Sequence, residues 1–160
     1  MYRMKNKQKM IYGSIGVVAV LGVVNAGYLA LTALAGASPV CNFIHGCDLV
    51  AASPYSRIFG IPLALFGVFF YSLITGFAFW GVCSKQVMVR MYILPLATIG
   101  FLLSLYFLYL QAFVIQAFCE YCLFSLFDAT LLFVLSLLIP KERDGILDET
   151  SNTQKQHGNL

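Results

Sequence analysis

Charged side chains are scarce in this chain of 160 residues. Lys, Arg, Asp and Glu together make up 11% of it, against about 25% in soluble domains, while 60% of the residues are hydrophobic. So few polar groups cannot cover a globule of this size, which excludes an ordinary soluble domain. The apolar residues form long runs, and about 20 apolar residues in a helix span the hydrocarbon core of a bilayer. The sequence therefore predicts a membrane protein.

Four apolar runs predict four transmembrane helices. The runs cover residues 11–34, 61–82, 91–110 and 119–139. Because unpaired backbone groups are costly in lipid, each run is expected to be helical throughout. The expected fold class is all-α integral membrane: a four transmembrane helix bundle with an outward loop and a short interfacial helix between the first two spans.

Basic residues are almost missing from two of the three connections, and this absence predicts the orientation. Nine lie in the N-terminus, the second connection or the C-terminal tail: Arg3, Lys5, Lys7, Lys9, Lys85, Arg90, Lys141, Arg143 and Lys155. Only Arg57 lies in the first connection. By the positive-inside rule, residues 1–10 and the polar tail 140–160 are cytoplasmic, in a multi-pass protein of the cell membrane. The net charge of +3 therefore needs no nucleic-acid partner.

A cleavable signal peptide is the alternative for the N-terminal segment. Basic residues, an apolar stretch and Ala35-Gly36-Ala37 loosely resemble one. The apolar run is about 24 residues long, however, and the apolar region of a signal peptide has about 7–15. The first span is therefore expected to be retained.

The chain has only five cysteines, and four of them form two pairs beside the first and fourth apolar runs. Cys41 and Cys47 follow the first span, and Cys119 and Cys122 open the fourth, so both pairs are expected to face outward. Disulfides persist on that side, where cytoplasmic reductants do not act. Cys83 ends the second span on the cytoplasmic side and is expected to be a reduced thiol without a role.

The second pair is interpreted as redox-active. Cys119 and Cys122 are three residues apart at a helix start, so they share one face about one turn apart. The partial positive charge of a helix N-terminus lowers the pKa of a thiol there. Cys119 is expected nearest the water, with Cys122 one turn deeper. A static disulfide between them would close so small a loop that it would hardly constrain the unfolded chain.

The first pair admits two interpretations. Pro39 and Gly46 indicate irregular, movable backbone around Cys41 and Cys47. A movable dithiol near a second dithiol exchanges disulfides by thiolate attack, whereas alone it would be a plain structural disulfide. The outward Cys-x-x-Cys pair favours a relay. His45 is either a proton acceptor or donor, or simply a polar loop residue, and the latter is favoured.

Ser53 also admits two interpretations. Residues 48–62 alternate between apolar and polar at roughly helical spacing, which is typical of a short helix lying along the membrane interface. Ser53 precedes Pro54 and fits a helix N-cap with proline at the first helical position. Alternatively, its hydroxyl points into a pocket beside Cys122 and hydrogen-bonds a bound carbonyl. Spacing alone favours the cap.

Several motifs occur together in one order. They are Cys41-x5-Cys47-Asp48, then Ser53-Pro54-Tyr55, then the stretch from Phe59 to Gly67 entering the second span, and Cys119-Glu120-Tyr121-Cys122 opening the fourth. In this order and with four spans, the chain resembles a bacterial vitamin K epoxide reductase homologue. The resemblance runs from the first span to about Leu138 and leaves only the two tails uncovered.

The resemblance implies a thiol oxidoreductase whose four-span redox domain, residues 11–139, surrounds a quinone of the ubiquinone or menaquinone type. Electrons would pass from an extracytoplasmic thioredoxin-fold protein to Cys41 and Cys47, and then to Cys119 and Cys122. Cys122 would pass them to the quinone, supporting disulfide bond formation. Ser53 matches the family's loop serine at the quinone head group. Some relatives carry a fused thioredoxin-like domain; none is visible here, so a separate partner is expected.

Asp128 is the one acidic residue deep inside a predicted span. A charge at mid-depth costs about 2.5–3.5 kcal/mol on insertion scales. The carboxyl is therefore expected to face the bundle and to be paired or protonated, with a structural hydrogen bond favoured over proton relay. Aromatic residues near the outward ends of the spans are candidate walls of a quinone pocket, although such residues more often serve ordinary packing. They are Phe66, Phe69, Phe70, Phe113, Phe118, Tyr121 and Phe124.

A metal-binding or metal-transport protein is the alternative from a different class. Four outward thiolates could hold zinc or another soft metal. Against this, the spans offer little polar lining for an ion path. No metal ligand is therefore assigned.

Overall fold

The computed structural model describes the backbone of residues 2–42, 46–83 and 86–139, and the side chains within these ranges except those of residues 2–8, 83 and 86–89. The expectations for His45, for the tail 140–160 and for the side chain of Cys83 lie outside the described residues.

Four long helices dominate the described chain. In chain order the elements are α1 (Tyr2–Leu34), α2 (Cys47–Ala52), a 3₁₀ turn (Pro54–Ser56), strands β1 (Arg57–Ile58) and β2 (Ile61–Pro62), α3 (Leu63–Cys83), α4 (Gln86–Tyr109), a π-helical turn (Leu110–Ile115) and α5 (Glu120–Leu137). Segments of α1, α3, α4 with the π-helical turn, and α5 are long and apolar enough to cross a membrane: Lys9–Leu34, Leu63–Val82, Arg90–Ile115 and Glu120–Leu137. The predicted all-α, four-helix membrane fold is confirmed.

The bundle packs around small side chains. Helix α1 lies along both α3 and α5, and α4 packs against α3 and α5. Tyr12, Ile15 and Ile74 are buried at its centre, and alanines of α1 and α3 let the two backbones approach closely. Large apolar side chains such as Val17 and Phe79 stay exposed on the outer faces. Such a large apolar surface is unfavourable in water and is covered by lipid in a membrane.

The chain between α4 and α5 changes direction in a few residues. The apolar run predicted to end near residue 110 continues as the π-helical turn Leu110–Ile115. Gln116 then adopts a left-handed conformation with φ 55°, which ends the helix. Cys119 is the N-cap of α5, which begins at Glu120. The first cysteine of the Cys-x-x-Cys pair therefore lies just before the helix.

A hairpin leads from the loop into α3. Arg57 pairs with Pro62 and Ile58 with Ile61 in an antiparallel register. Phe59 and Gly60 both have positive φ, the geometry of the tight turns that suit strand twist. The expected short helix after the loop pair is present as α2. The hairpin that follows it was not expected.

Candidate active site

One cavity brings the two cysteine pairs together. It has a volume of about 490 Å³ and is lined by residues of the four long helices and of the segment between α1 and α3. Cys47, Cys119 and Cys122 all line it, as does Ser53. Both pairs therefore lie at the same end of the bundle. The opposite end is marked by Arg90, whose guanidinium donates a hydrogen bond to the carbonyl of Ile139 at 2.6 Å.

The loop pair forms a disulfide, with the Cα atoms of Cys41 and Cys47 6.0 Å apart. The two cysteines differ in exposure: Cys41 is half-buried, whereas Cys47 is 1% exposed and lines the cavity. Gly46 explains how Cys47 comes so close to α5. A Cβ at Gly46 would lie 2.6 Å from the carbonyl oxygen of Phe118, so only glycine allows this approach.

Cys119 is held by a side chain that follows α4. Gln111 is 3% exposed, and its Oε1 accepts the backbone N–H of Cys119 at 2.8 Å. The first N–H groups of a helix have no partner within the helix, so this bond satisfies a buried donor at the start of α5. The backbone carbonyl of Gln111 also accepts the N–H of Ala117 at 3.1 Å. The π-helical turn therefore positions Cys119, and such turns are frequent at functional sites.

Cys119 and Cys122 are free thiols in this structure. The pKa of Cys119 is lowered to about 7, first by a hydrogen bond from the Cys122 side chain and then by the backbone N–H groups of Cys122 and Tyr121, against the opposing effects of burial and of the Glu120 charge. The predicted depression from the helix N-terminus is present, but the neighbouring thiol is the larger cause. Cys119 is 2% exposed, so it is covered rather than near the water.

Ser53 lies at the wall of the cavity, but it does not cap a helix with its side chain. It precedes Pro54 at the predicted N-cap position, yet its hydroxyl makes no capping bond there. Instead it donates to the carbonyl of Val50 at 2.7 Å. The predicted side-chain capping role is therefore wrong, because the hydroxyl bonds back to the last turn of α2 and accepts no N–H of the following 3₁₀ turn.

Asp128 is buried in the bundle at 2% exposure, below the cavity. Its Oδ2 has no hydrogen-bond partner within the described part of the chain. A Cβ at Gly22 would lie 2.5 Å from that oxygen, so α1 passes directly over the carboxyl. The expected structural hydrogen bond is not made by Oδ2. A carboxyl oxygen without a partner is costly at this depth.

Polar residues that the sequence analysis did not single out also reach the site. Asn25 of α1 lines the cavity and donates from Nδ2 to the carbonyl of Tyr121 at 3.1 Å, and Gln111 positions Cys119. Both are amide side chains inside apolar membrane-spanning segments, and polar residues there often mark functional positions, so the sequence could have indicated them. Of the aromatic residues predicted to line a quinone pocket, Phe66 and Phe70 line the cavity. Phe107 also lines it and was not predicted.

The chain was compared with known protein families. The sequence model of the vitamin K epoxide reductase family matches residues 14–137. The chain belongs to this family. A search of curated proteins finds no match. Membership makes the chain a multi-pass membrane protein with thiol–disulfide oxidoreductase activity, in a family that is generally linked to quinones and to thioredoxin-like partners.

The metal-binding alternative gains no support from the site. Within residues 2–42, 46–83 and 86–139, no three Cys, His, Asp or Glu side chains are grouped so that they could hold a metal ion. Two of the four thiols expected to serve as ligands are instead joined in a disulfide.

Proposed function

We propose that this protein reoxidises an extracytoplasmic thioredoxin-fold partner and passes the electrons to a membrane quinone, through Cys41 and Cys47 and then Cys119 and Cys122. One observation carries the proposal: Cys47, Cys119 and Cys122 line the same cavity. Thiol–disulfide exchange requires direct approach of sulfur atoms, and the shared cavity, with Gly46 packed against Phe118, supports such an approach.

The difference in exposure within the loop pair supports an order of transfer. Cys41 is half-buried and accessible from outside the bundle, so a partner thiolate attacks it and Cys47 leaves. The second thiol of the partner then releases Cys41. Cys47 is buried and lines the same cavity as Cys119 and Cys122, so it attacks Cys119 in the oxidised form of that pair and displaces Cys122. Cys41 then closes on Cys47.

These steps leave a disulfide between Cys41 and Cys47 and a reduced Cys119–Cys122 pair. This structure has the same oxidation state, with the loop disulfide formed and the other two thiols free. The reduced pair is then oxidised to a Cys119–Cys122 disulfide, and its two electrons with two protons go to the quinone, which leaves as the quinol. The lowered pKa of Cys119, about 7, favours the thiolate that closes this disulfide on Cys122.

The cavity suits a quinone head group. Its volume of about 490 Å³ lies within the usual range of small-molecule sites, roughly 300–1,000 Å³. Phe66, Phe70 and Phe107 supply apolar walls, and the hydroxyls of Ser53 and Ser125 are polar contacts at the lining. A bound quinone of the ubiquinone or menaquinone type supplies a two-electron, two-proton acceptor. Ser53 would hold its carbonyl after its hydroxyl turns from Val50.

The orientation belongs to the same proposal. The cavity end of the bundle faces outward, and the end marked by Arg90 faces the cytoplasm, with both termini on that side. The support is the distribution of basic residues, nine against one. Outward placement exposes Cys41 to the compartment in which disulfides persist.

Single cysteine substitutions test the relay in purified protein with a soluble quinone. Cys119→Ser or Cys122→Ser should abolish quinone reduction by any thiol donor. Cys41→Ser or Cys47→Ser should block reduction driven by reduced thioredoxin, used as the probe partner, and leave slow reduction driven by dithiothreitol. Full thioredoxin-driven activity in a variant lacking both loop cysteines would refute the order of transfer.

A further inference from the structure

The chain on either side of Cys41 is tied to two helices. The carbonyl of Val40 accepts the Tyr121 hydroxyl at 2.9 Å, and the N–H of Val40 donates to the Tyr28 hydroxyl at 3.3 Å. The N–H of Asn42 donates to Oε1 of Glu120 at 3.2 Å. Both neighbours of Cys41 are therefore held by side chains of α1 and of the first turn of α5.

The two tyrosines also support each other. The ring centroids of Tyr28 and Tyr121 are 5.0 Å apart, with the planes tilted by 39°. Tyr121 lies between Cys119 and Cys122 in the sequence, so the residue that binds Val40 belongs to the Cys-x-x-Cys pair itself. Asn25, one turn before Tyr28 on α1, donates to the carbonyl of Tyr121. These contacts join α1, α5 and the segment of Cys41 at one point.

We propose that Tyr28, Glu120 and Tyr121 form a clamp that holds Cys41 within reach of Cys47 while the loop pair is reduced, and so couples the loop pair to the Cys119–Cys122 pair. In this role the side chains of the clamp act through the backbone on either side of Cys41, so they are positioning residues. The inference deepens the proposed function and rests on it for its place in the relay.

The physical reason is the effective concentration of one thiol at the other. Cys47 is held independently, because α2 begins at Cys47 and Gly46 packs on Phe118. The position of Cys41 depends on residues 40–42. While these bonds hold, Cys41 stays beside Cys47, which favours the disulfide over the dithiol and speeds its closure. The sequence suggested a movable loop, but the described residues next to Cys41 are tied down.

The clamp is tested first without quinone or partner. In a Cys119→Ser/Cys122→Ser background, the loop disulfide is equilibrated with mixtures of reduced and oxidised glutathione, and the two forms are separated by alkylation and mass spectrometry. Tyr121→Phe keeps the ring and removes the hydroxyl. It should shift the equilibrium towards the dithiol by about two- to threefold, the size expected for one solvent-exposed hydrogen bond. Tyr28→Phe/Tyr121→Phe should shift it by roughly five- to tenfold.

A matched control separates the clamp from a general effect of losing a tyrosine hydroxyl. Tyr106 is an exposed tyrosine of α4, and Tyr106→Phe should leave the equilibrium unchanged. An equilibrium for the double variant within about 1.5-fold of the parent would overturn the clamp, since two hydrogen bonds should change it more.

The role in the relay is tested second, in the otherwise unsubstituted protein. Tyr28→Phe/Tyr121→Phe should slow thioredoxin-driven quinone reduction several-fold. The same substitutions in a Cys41→Ser/Cys47→Ser background should leave dithiothreitol-driven reduction within about twofold, which also shows that the bundle is folded. Equal losses in both assays would overturn the positioning role. If the unsubstituted protein reduces no quinone, the proposed function fails, and the glutathione equilibrium still decides the clamp.

Discussion

Gln111 offers the most direct test of how the fold positions Cys119. Replacing it with leucine removes the acceptor of the Cys119 N–H, which is bonded at 2.8 Å in buried surroundings. The backbone bond from Ala117 to the Gln111 carbonyl does not involve the side chain and should persist. The substitution therefore leaves one buried donor without a partner and also removes the long bond, 3.5 Å, from Gln111 Nε2 to the carbonyl of Phe107.

The size of the effect follows from that orphaned donor. A buried N–H left without an acceptor costs about 1–3 kcal/mol, more than the net contribution of an average hydrogen bond. Gln111→Leu should lower the free energy of unfolding by about this amount. Because leucine has a similar volume and the site is already buried, apolar burial should offset only part of the loss.

The assay is unfolding by sodium dodecyl sulfate in mixed micelles, followed by far-UV circular dichroism. Gln116 gives the matched control: it is an exposed glutamine five residues further on, with φ 55°. Asparagine tolerates that conformation, so Gln116→Asn should change stability by less than about 0.5 kcal/mol. The reasoning would be refuted if Gln111→Leu were as stable as the Gln116→Asn variant.

Three further predictions concern the other residues of the site. Because a thiolate is the reactive form and the pKa of Cys119 is lowered to about 7, alkylation of Cys119 should accelerate as the pH rises through about 7. Cys122→Ala removes the hydrogen bond that contributes most to the lowered pKa, so the midpoint of the pH dependence of alkylation should move to higher pH. An unmoved midpoint would contradict this. Ser53→Ala should raise the KM for a soluble quinone by about two- to tenfold, because one hydrogen bond is lost. Ser53→Thr keeps the hydroxyl and should keep the parent KM. Equal KM values in the two variants would argue against contact with the quinone. Asp128→Leu should raise the midpoint of thermal unfolding in detergent, because Oδ2 has no described partner to lose; a lower midpoint would mean that the carboxyl makes a stabilising contact.

The helices could be predicted from the sequence because the bilayer imposes a simple rule. Apolar runs of about 20 residues with few charges have almost no other stable environment. The grouping of both cysteine pairs at one end followed from four spans that reverse direction each time. The family resemblance, carried by the order of the motifs from Cys41 to Cys122, is confirmed by the family match.

What the sequence could not supply depends on approaches between distant residues. The hydrogen bond from the Cys119 N–H to Gln111 requires the π-helical turn, and no local pattern of apolar residues predicts that turn. The sequence offered two uses for the Ser53 hydroxyl, a helix cap and a contact to the quinone, and in this structure the hydroxyl makes a third contact, to the Val50 carbonyl. For Asp128, burial could be predicted from depth, but the missing partner of Oδ2 depends on how α1 crosses α5 at Gly22.

The central claim is that Cys47 and Cys119 exchange bonds directly. The measurement is disulfide trapping in a Cys41→Ser/Cys122→Ser variant, which keeps only these two of the four site cysteines, treated in membranes with oxidised glutathione and mapped by mass spectrometry. Direct exchange predicts an intramolecular Cys47–Cys119 disulfide in most molecules, and far less linkage between the cysteines that remain in a Cys47→Ser/Cys119→Ser variant. Glutathione adducts on Cys47 and Cys119 with no link between them would contradict the account.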